Sequence, residues 1–277
     1  MTTQKEKGEL FRALHDQPGC FVIPNPWDAG SSKLLTSLGF KALATTSAGL
    51  AFSLGRSDGK NLVSRDEALS NARDIVNASI LPVSADLENG YHADPVFVFE
   101  TIRMAGHAGL VGASIEDATG NSEGPIYGFE LAVERISAAV DAVKDLPYPF
   151  LLTARAENYL YGRYDLKDTI RRLQAFQDAG ADVLYAPGLR SREDIATLVR
   201  EVDKPVNVVM GLSGVSISVQ DLADLGVKRI SLGSSLNRAA LGALLAAADE
   251  IINQGTFSFS ENAATFKTLD TVFGKQD

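Results

Sequence analysis

Acidic side chains recur where apolar runs end. In "SADLENGY", Asp86 and Glu88 stand two positions apart, the spacing that turns both carboxylates to one face of a strand. "GASIED" groups Ser114 with Glu116 in the same way, and "TARAE" groups Thr153, Arg155 and Glu157. Carboxylates brought together raise one another's pKa unless a cation neutralises them. A hard divalent ion would do so. Oxygen ligands without His or Cys favour Mg2+, with Mn2+ the other candidate, and Mg2+ commonly keeps several waters beside a few carboxylates. Asp86, Glu88 and Glu116 are therefore the expected metal ligands. Each alone is equally well explained as a helix cap or an Arg partner; three on adjacent strands favour the metal.

Those residues need a scaffold that gathers strand ends. Short β-rich runs begin at Phe21, Ala42, Leu81, Gly112, Pro149, Val183, Pro205 and Arg229, with helical apolar spacing between them. That alternation predicts an α/β fold, a (β/α)8 barrel of the TIM type, whose C-terminal strand ends form the active face. Helical stretches such as "RDEALSNARDIVNA" and "DTIRRLQAFQDAG" carry apolar residues three and four apart, and several end in Gly. With 277 residues, 45% of them hydrophobic, the chain suits one barrel domain over 1–277. A C-terminal helical extension from about 240 to 277 completes it, since the tail "FSENAATFKTLDTVFG" has apolar spacing but no strand to pack under. A partner subunit is its expected cover.

Charge and cysteine usage narrow the function. The net charge of -9 offers no footprint for a polyanion, so no nucleic acid is expected. No segment resembles a signal peptide or a membrane span. The single cysteine, Cys20, suits a reducing compartment, and the expected location is cytoplasmic. His15, His92 and His107 end no strand, and no Lys ends one either, which disfavours His-centred and Schiff-base chemistry. "LGSS" and "MGLSG" read as tight turns before phosphate cradles. Asp28 reads as a helix cap, and Trp27 as a pocket wall or packing residue.

Taken in order, "PNPWDAGSSKLL", "TTSAGLAFSLGRSDG", "SADLENGY", "SIEDA" and "ARAEN" resemble the isocitrate lyase and phosphoenolpyruvate mutase superfamily. The resemblance runs from about Phe21 to the helix after Arg238. It implies an α/β barrel that binds Mg2+ and an α-oxo acid or its enolate, as a homo-oligomer, dimer or tetramer, with C-terminal helices swapped between neighbours. By the same resemblance Asp86 is the principal metal carboxylate, Glu88 replaces a second Asp, and Glu116 is the next acid of the metal shell. Thr46 and Ser47 fall where backbone amides hold the substrate carboxylate. Asp58 matches the acid of a Leu-Gly-x-x-Asp segment, and Arg155 the Arg facing the substrate oxyanion.

Departures from the family pattern bear on the reaction. The lyases carry a Lys-Lys-Cys-Gly-His loop after strand four, whereas this chain has "DATGNSEGPIYGF", with no Cys, Lys or His. Tyr127, or Glu116 through a water, is then the candidate acid or base, and Gly120, Gly124 and Gly128 would let the loop close as a lid. Glu157 in "ARAEN" resembles the phosphonate-handling branch, with Asn121 the single echo of that branch's gating loop. The expected activity is Mg2+-dependent carbon-carbon cleavage of a small α-oxo or α-hydroxy acid through an enolate. The alternatives are carbon-phosphorus cleavage or rearrangement, decarboxylation or hydrolysis of oxaloacetate, and a non-catalytic α-oxo-acid binder.

Overall fold

The structure is a computed structural model that describes residues 2–274. The β-rich runs form eight parallel strands: β1 (Phe21–Ile23), β2 (Leu43–Ala44), β3 (Val83–Asp86), β4 (Gly112–Glu116), β5 (Leu151–Arg155), β6 (Val183–Tyr185), β7 (Val206–Val209) and β8 (Arg229–Ser231). Their order, β1-β8-β7-β6-β5-β4-β3-β2, curls the sheet into the expected (β/α)8 barrel. β1 and β2 share no ladder. Their seam is closed by the Ala44 amide donating to the Pro24 carbonyl at 3.0 Å, and by Asn25 Nδ2 donating to the Thr45 carbonyl at 2.9 Å.

Outward-facing strand residues such as Val83, Ala85 and Ile115 are buried beneath the helical sheath. That sheath comprises α2 (Ala29–Ser37), α4 (Arg65–Asn77), α5 (Pro95–His107), α6 (Phe129–Lys144), α7 (Leu166–Asp178), α8 (Arg192–Glu201) and α9 (Val219–Asp224), with the short α3 (Ser47–Ser53) inserted after β2. Helix starts are encoded locally. Asp28 accepts from the Ser31 amide at 2.7 Å, Ser64 and Glu67 form a capping box ahead of α4, and Pro95 follows the Asp94 cap of α5.

The barrel's N-terminal end is plugged by α1 (Gln4–Asp16). Phe11 is fully buried there against Ile23, Ala42, Leu151 and Val183, a burial that contributes about 2–3 kcal/mol. Gly112 makes room for it, because a Cβ at that position would lie 2.8 Å from the Phe11 ring. At the other end of the chain α10 (Ser235–Gln254) extends from β8 and α11 (Phe266–Phe273) lies beside α2 without a buried residue. In α10 only Asn237 is buried; Leu245 is 70% exposed, Ile252 80% and, on α11, Phe266 87%.

Candidate active site

Strand register brings the polar residues together. Asp86 pairs with Ser114, and Glu116 with Arg155, so the last residues of β3, β4 and β5 are neighbours at the C-terminal mouth. Arg155 takes three carboxylates at once: Nη1 donates to Asp86 at 2.8 Å, Nη2 to Glu116 at 3.0 Å and Nε to Glu157 at 2.9 Å. Asp86 is held on its other oxygen by the Ser47 amide at 3.2 Å and hydroxyl at 2.8 Å. Thr45 Oγ1 accepts from the Asp86 amide at 2.9 Å, while Thr46 caps α3 through the Gly49 amide at 3.2 Å. The Ser47 amide is thus committed to Asp86, and Arg155 to the acids around it.

Glu88 departs from simple alternation. β3 ends at Asp86, and Glu88 adopts φ 48°, with Gly90 at 74° and Tyr91 at 65°. A left-handed non-glycine costs about 1–2 kcal/mol, so such a turn needs external support. The Glu116 amide donates to the Glu88 carbonyl at 3.0 Å, and buried Arg135 bonds the carbonyls of Asn89, His92 and Ala93. Arg135 also lies 4.3 Å over the Tyr127 ring. Beneath Glu157, Asp117 accepts from its amide at 2.8 Å and from Arg172 at 3.1 Å.

The mouth opens into a cavity of roughly 170 Å3. Thr46, Ser47, Asp58, Asp86 and Arg155 line its upper part, and Ser84, Asn207, Arg229 and Ser231 lie deeper. Other residues of interest stand apart. Tyr127 lines a neighbouring cavity with Asn61, Tyr91 and His92. Asn121 is exposed, its Oδ1 accepting from the Glu123 amide at 3.0 Å. Trp27 is half-buried outside the cavity lining, where its carbonyl accepts from Asn71.

Negative charge exceeds positive at this mouth. Burial pushes the Glu88 carboxyl up to about 7, with Asp86 and Asp58 adding to the rise. Asp58 stands on an exposed turn, yet partial desolvation of its carboxyl inside the mouth, and then Asp86, raise it. Burial also raises Glu116 and Glu157, because one guanidinium shared by three acids cannot offset the desolvation of all of them. Among the described residues, no group of three His, Cys, Asp or Glu is preassembled around a metal position. The donor set still fits a hard dication held by one or two carboxylates and waters. Asp86, Glu88 and Glu116, the expected ligands, would bring oxygen donors and, with Asp58 nearby, more charge than Arg155 balances.

Residues 11–252 match the model of the phosphoenolpyruvate phosphomutase family. The chain belongs to the phosphoenolpyruvate phosphomutase family. A Burkholderia cenocepacia J2315 protein described only as a lyase/mutase superposes with a TM-score of 0.96 at 56% identity, over 99% of this chain and 98% of that one. Oxaloacetate acetylhydrolase, solved with its product oxalate, gives 0.88 at 26% identity over 99% and 96%. A 2-methylisocitrate lyase of Aeropyrum pernix is 27% identical over 257 residues, 90% of this chain and 81% of its own. The lyases and mutases among these relatives support an enzyme.

Several lining residues escape motif reading. Asn207 and Arg229 are buried polar groups inside apolar-looking strands, and Asn25 stitches the seam by also accepting from the Leu232 amide at 2.9 Å and the Gly233 amide at 3.0 Å. One signal was available for them. Alternation in "RISLG" sets Arg229 and Ser231 on one face, and a lone Asn in "PVNVVMG" has no apolar role.

Proposed function

We propose that the protein is a Mg2+-dependent lyase that cleaves a carbon-carbon bond of a small α-oxo or α-hydroxy acid through an enolate. The observation that carries this reading is the excess of carboxylates, Asp58, Asp86, Glu88, Glu116 and Glu157, gathered about Arg155 at the mouth of a small polar cavity. Asp86, Glu88 and Glu116 would hold the ion, with Mn2+ as a substitute. When bound, Mg2+ supplies Lewis acidity toward the acid's α-oxygen and carboxylate. Arg155 fixes Asp86 and Glu116 in place and counters the negative charge that grows in the transition state. Ser47 orients Asp86, and Thr46 sets the start of α3 beside the ligand. Asp58 lines the mouth together with Asp86, while Glu157 holds Arg155 through Nε. The loop carrying Asn121 and Tyr127 would move as a lid, bringing Tyr127 from its neighbouring cavity toward the ligand.

A second reading has its own support. The loop after β4 carries no Cys, Lys or His, and a relative with this fold is an oxaloacetate acetylhydrolase. In hydrolysis or decarboxylation of oxaloacetate the enolate released would take its proton from water or from a group outside that loop. Carbon-phosphorus chemistry is the outcome to exclude with phosphonopyruvate.

One experiment addresses all three. Pyruvate, oxalate and phosphate release are followed across a panel of small 2-oxo and 2-hydroxy acids, with and without EDTA. EDTA-sensitive turnover of a carbon acid is expected. Turnover that persists after complete metal removal would reject the metal reading, and binding without turnover across the panel would reject the lyase reading. Asp86→Ala is expected to lower kcat at least a hundredfold with an unchanged circular dichroism spectrum. Activity near that of the wild type would remove Asp86 from the mechanism.

A further inference from the structure

Two guanidinium groups line the cavity, and their situations are opposite. Every nitrogen of Arg155 is engaged by a carboxylate, Asp86, Glu116 or Glu157. Arg229, at the deeper end, is 5% exposed and meets only neutral acceptors: Nε donates to Asn207 Oδ1 at 2.8 Å and Nη2 to Thr153 Oγ1 at 2.9 Å. Its Nη1 is buried with no acceptor, and among the described residues Arg229 forms no ion pair. Burial pushes this guanidinium down to about 10, which leaves it cationic near neutrality.

A buried charge without a counter-ion is costly, and removing a side chain's water without replacing its hydrogen bonds adds to that cost. Barrels of this type usually fill the same level with branched apolar side chains. Here Thr153 and Asn207 bond the guanidinium instead, Ser84 and Ser231 line the same cavity, all four are buried, and Asn207 Nδ2 donates to Ser231 Oγ at 3.0 Å. The polar interior and the free donor both call for an anion. Among the described residues no side chain supplies one, and Arg155 is too fully engaged to receive it.

We propose that Arg229, with Asn207 and Ser231 beside it, forms an anion subsite on the cavity floor that takes one compact monoanionic group, the second carboxylate of a ligand whose α-oxo or α-hydroxy acid head sits at the mouth. The subsite rests on the proposed reading of the mouth for the source of that carboxylate. A free inorganic anion has the same chemistry. Nε2 of His15, another buried atom with no partner, suggests the competing use of Nη1: a water shared between the two residues.

The test compares lactate with malate and 2-hydroxyglutarate, which share the α-hydroxy acid head and differ in a second carboxylate. Full-length protein in Mg2+ is titrated calorimetrically. At least one diacid is expected to bind about ten- to hundredfold more tightly than lactate. Arg229→Gln is expected to bring that diacid to the lactate level while lactate affinity stays unchanged, and Arg229→Lys, which keeps the charge and guards against a folding defect, to restore part of the difference. Bromide soaked into wild-type crystals and located by anomalous scattering forms the second arm. Bromide on Arg229 that the diacid displaces assigns the subsite to the ligand's carboxylate; bromide that stays assigns it to a free anion. Equal affinities for lactate and both diacids, with no bromide on Arg229, overturn the subsite and leave Nη1 to a shared water. An equal loss of lactate affinity in Arg229→Gln also overturns it. Bromide on Arg229 with no binding of any of the acids rejects the reading of the mouth and leaves the subsite standing.

Discussion

Arg155 is the cation around which the acids of the mouth are arranged, so its removal has a consequence for stability separate from activity. Its side chain is 12% exposed and its partners Glu116 and Glu157 are 14% and 2% exposed. Deleting one partner of a buried ion network leaves the others uncompensated, at a cost of about 3–5 kcal/mol. Arg155→Met is therefore expected to lower the urea midpoint by an amount matching that loss, and a variant unfolding like the wild type would show that the acids find other relief. Asp86, Glu116 and Arg155 were legible because period-two alternation sets one face of a strand. Their ion pairs were not, because Arg155 and Asp86 are 69 residues apart and only the β3–β4 and β4–β5 registers together bring them into reach. Glu88 stays with Asp86 and Asp58 by a route that alternation does not describe: the strand stops at Asp86 and the turn through Gly90 and Tyr91 redirects the chain.

At the scale of elements, α1 behaves as a plug that tolerates little change. Gly8 lies in mid-helix, where Ala is ordinarily the better residue by about 1 kcal/mol. A Cβ at Gly8 would run into the Pro149 carbonyl oxygen ahead of β5. Gly8→Ala is thus expected to lower the melting temperature, against its helix propensity; an increase would show that α1 can shift without loss. His15, on the same helix, donates through Nδ1 to the Phe11 carbonyl at 2.8 Å and stacks edge-on with Phe11 and Phe21. Burial, and then Arg229, lower it from 6.5 to about 3. A histidine depressed in the folded state favours folding fully above its unfolded pKa and loses that contribution as pH falls. Between pH 6.5 and 3 the loss is on the order of 5 kcal/mol. His15→Phe should flatten this acid limb in unfolding free energy measured against pH, and an unchanged slope would assign acid sensitivity to the carboxylates. The eight strands and most helices were readable from apolar period and from Gly and Pro punctuation. The plug was not, since nothing local in "QKEKGELFRALHD" says which end of a barrel it closes.

For the whole molecule, the apolar surface of α10 and α11 carries the prediction. Leu245, Ile252 and Phe266 lie exposed on helices with almost no buried residue, and a patch of that kind marks an interaction site. We propose that a second copy covers it, as the swapped C-terminal helices of the resembling family would. Light scattering is expected to give a dimer or tetramer, and truncation after Gln254 to weaken that assembly; a monomer at micromolar concentration would reject the arrangement. The barrel's ring has one weak joint. Seven strand pairings are continuous ladders, while β1 and β2 are joined through Ala44, Pro24 and Asn25 alone. Deuterium should therefore reach the Ala44 amide before the interior amides of β4 and β5, making this seam the place where the cylinder first unzips.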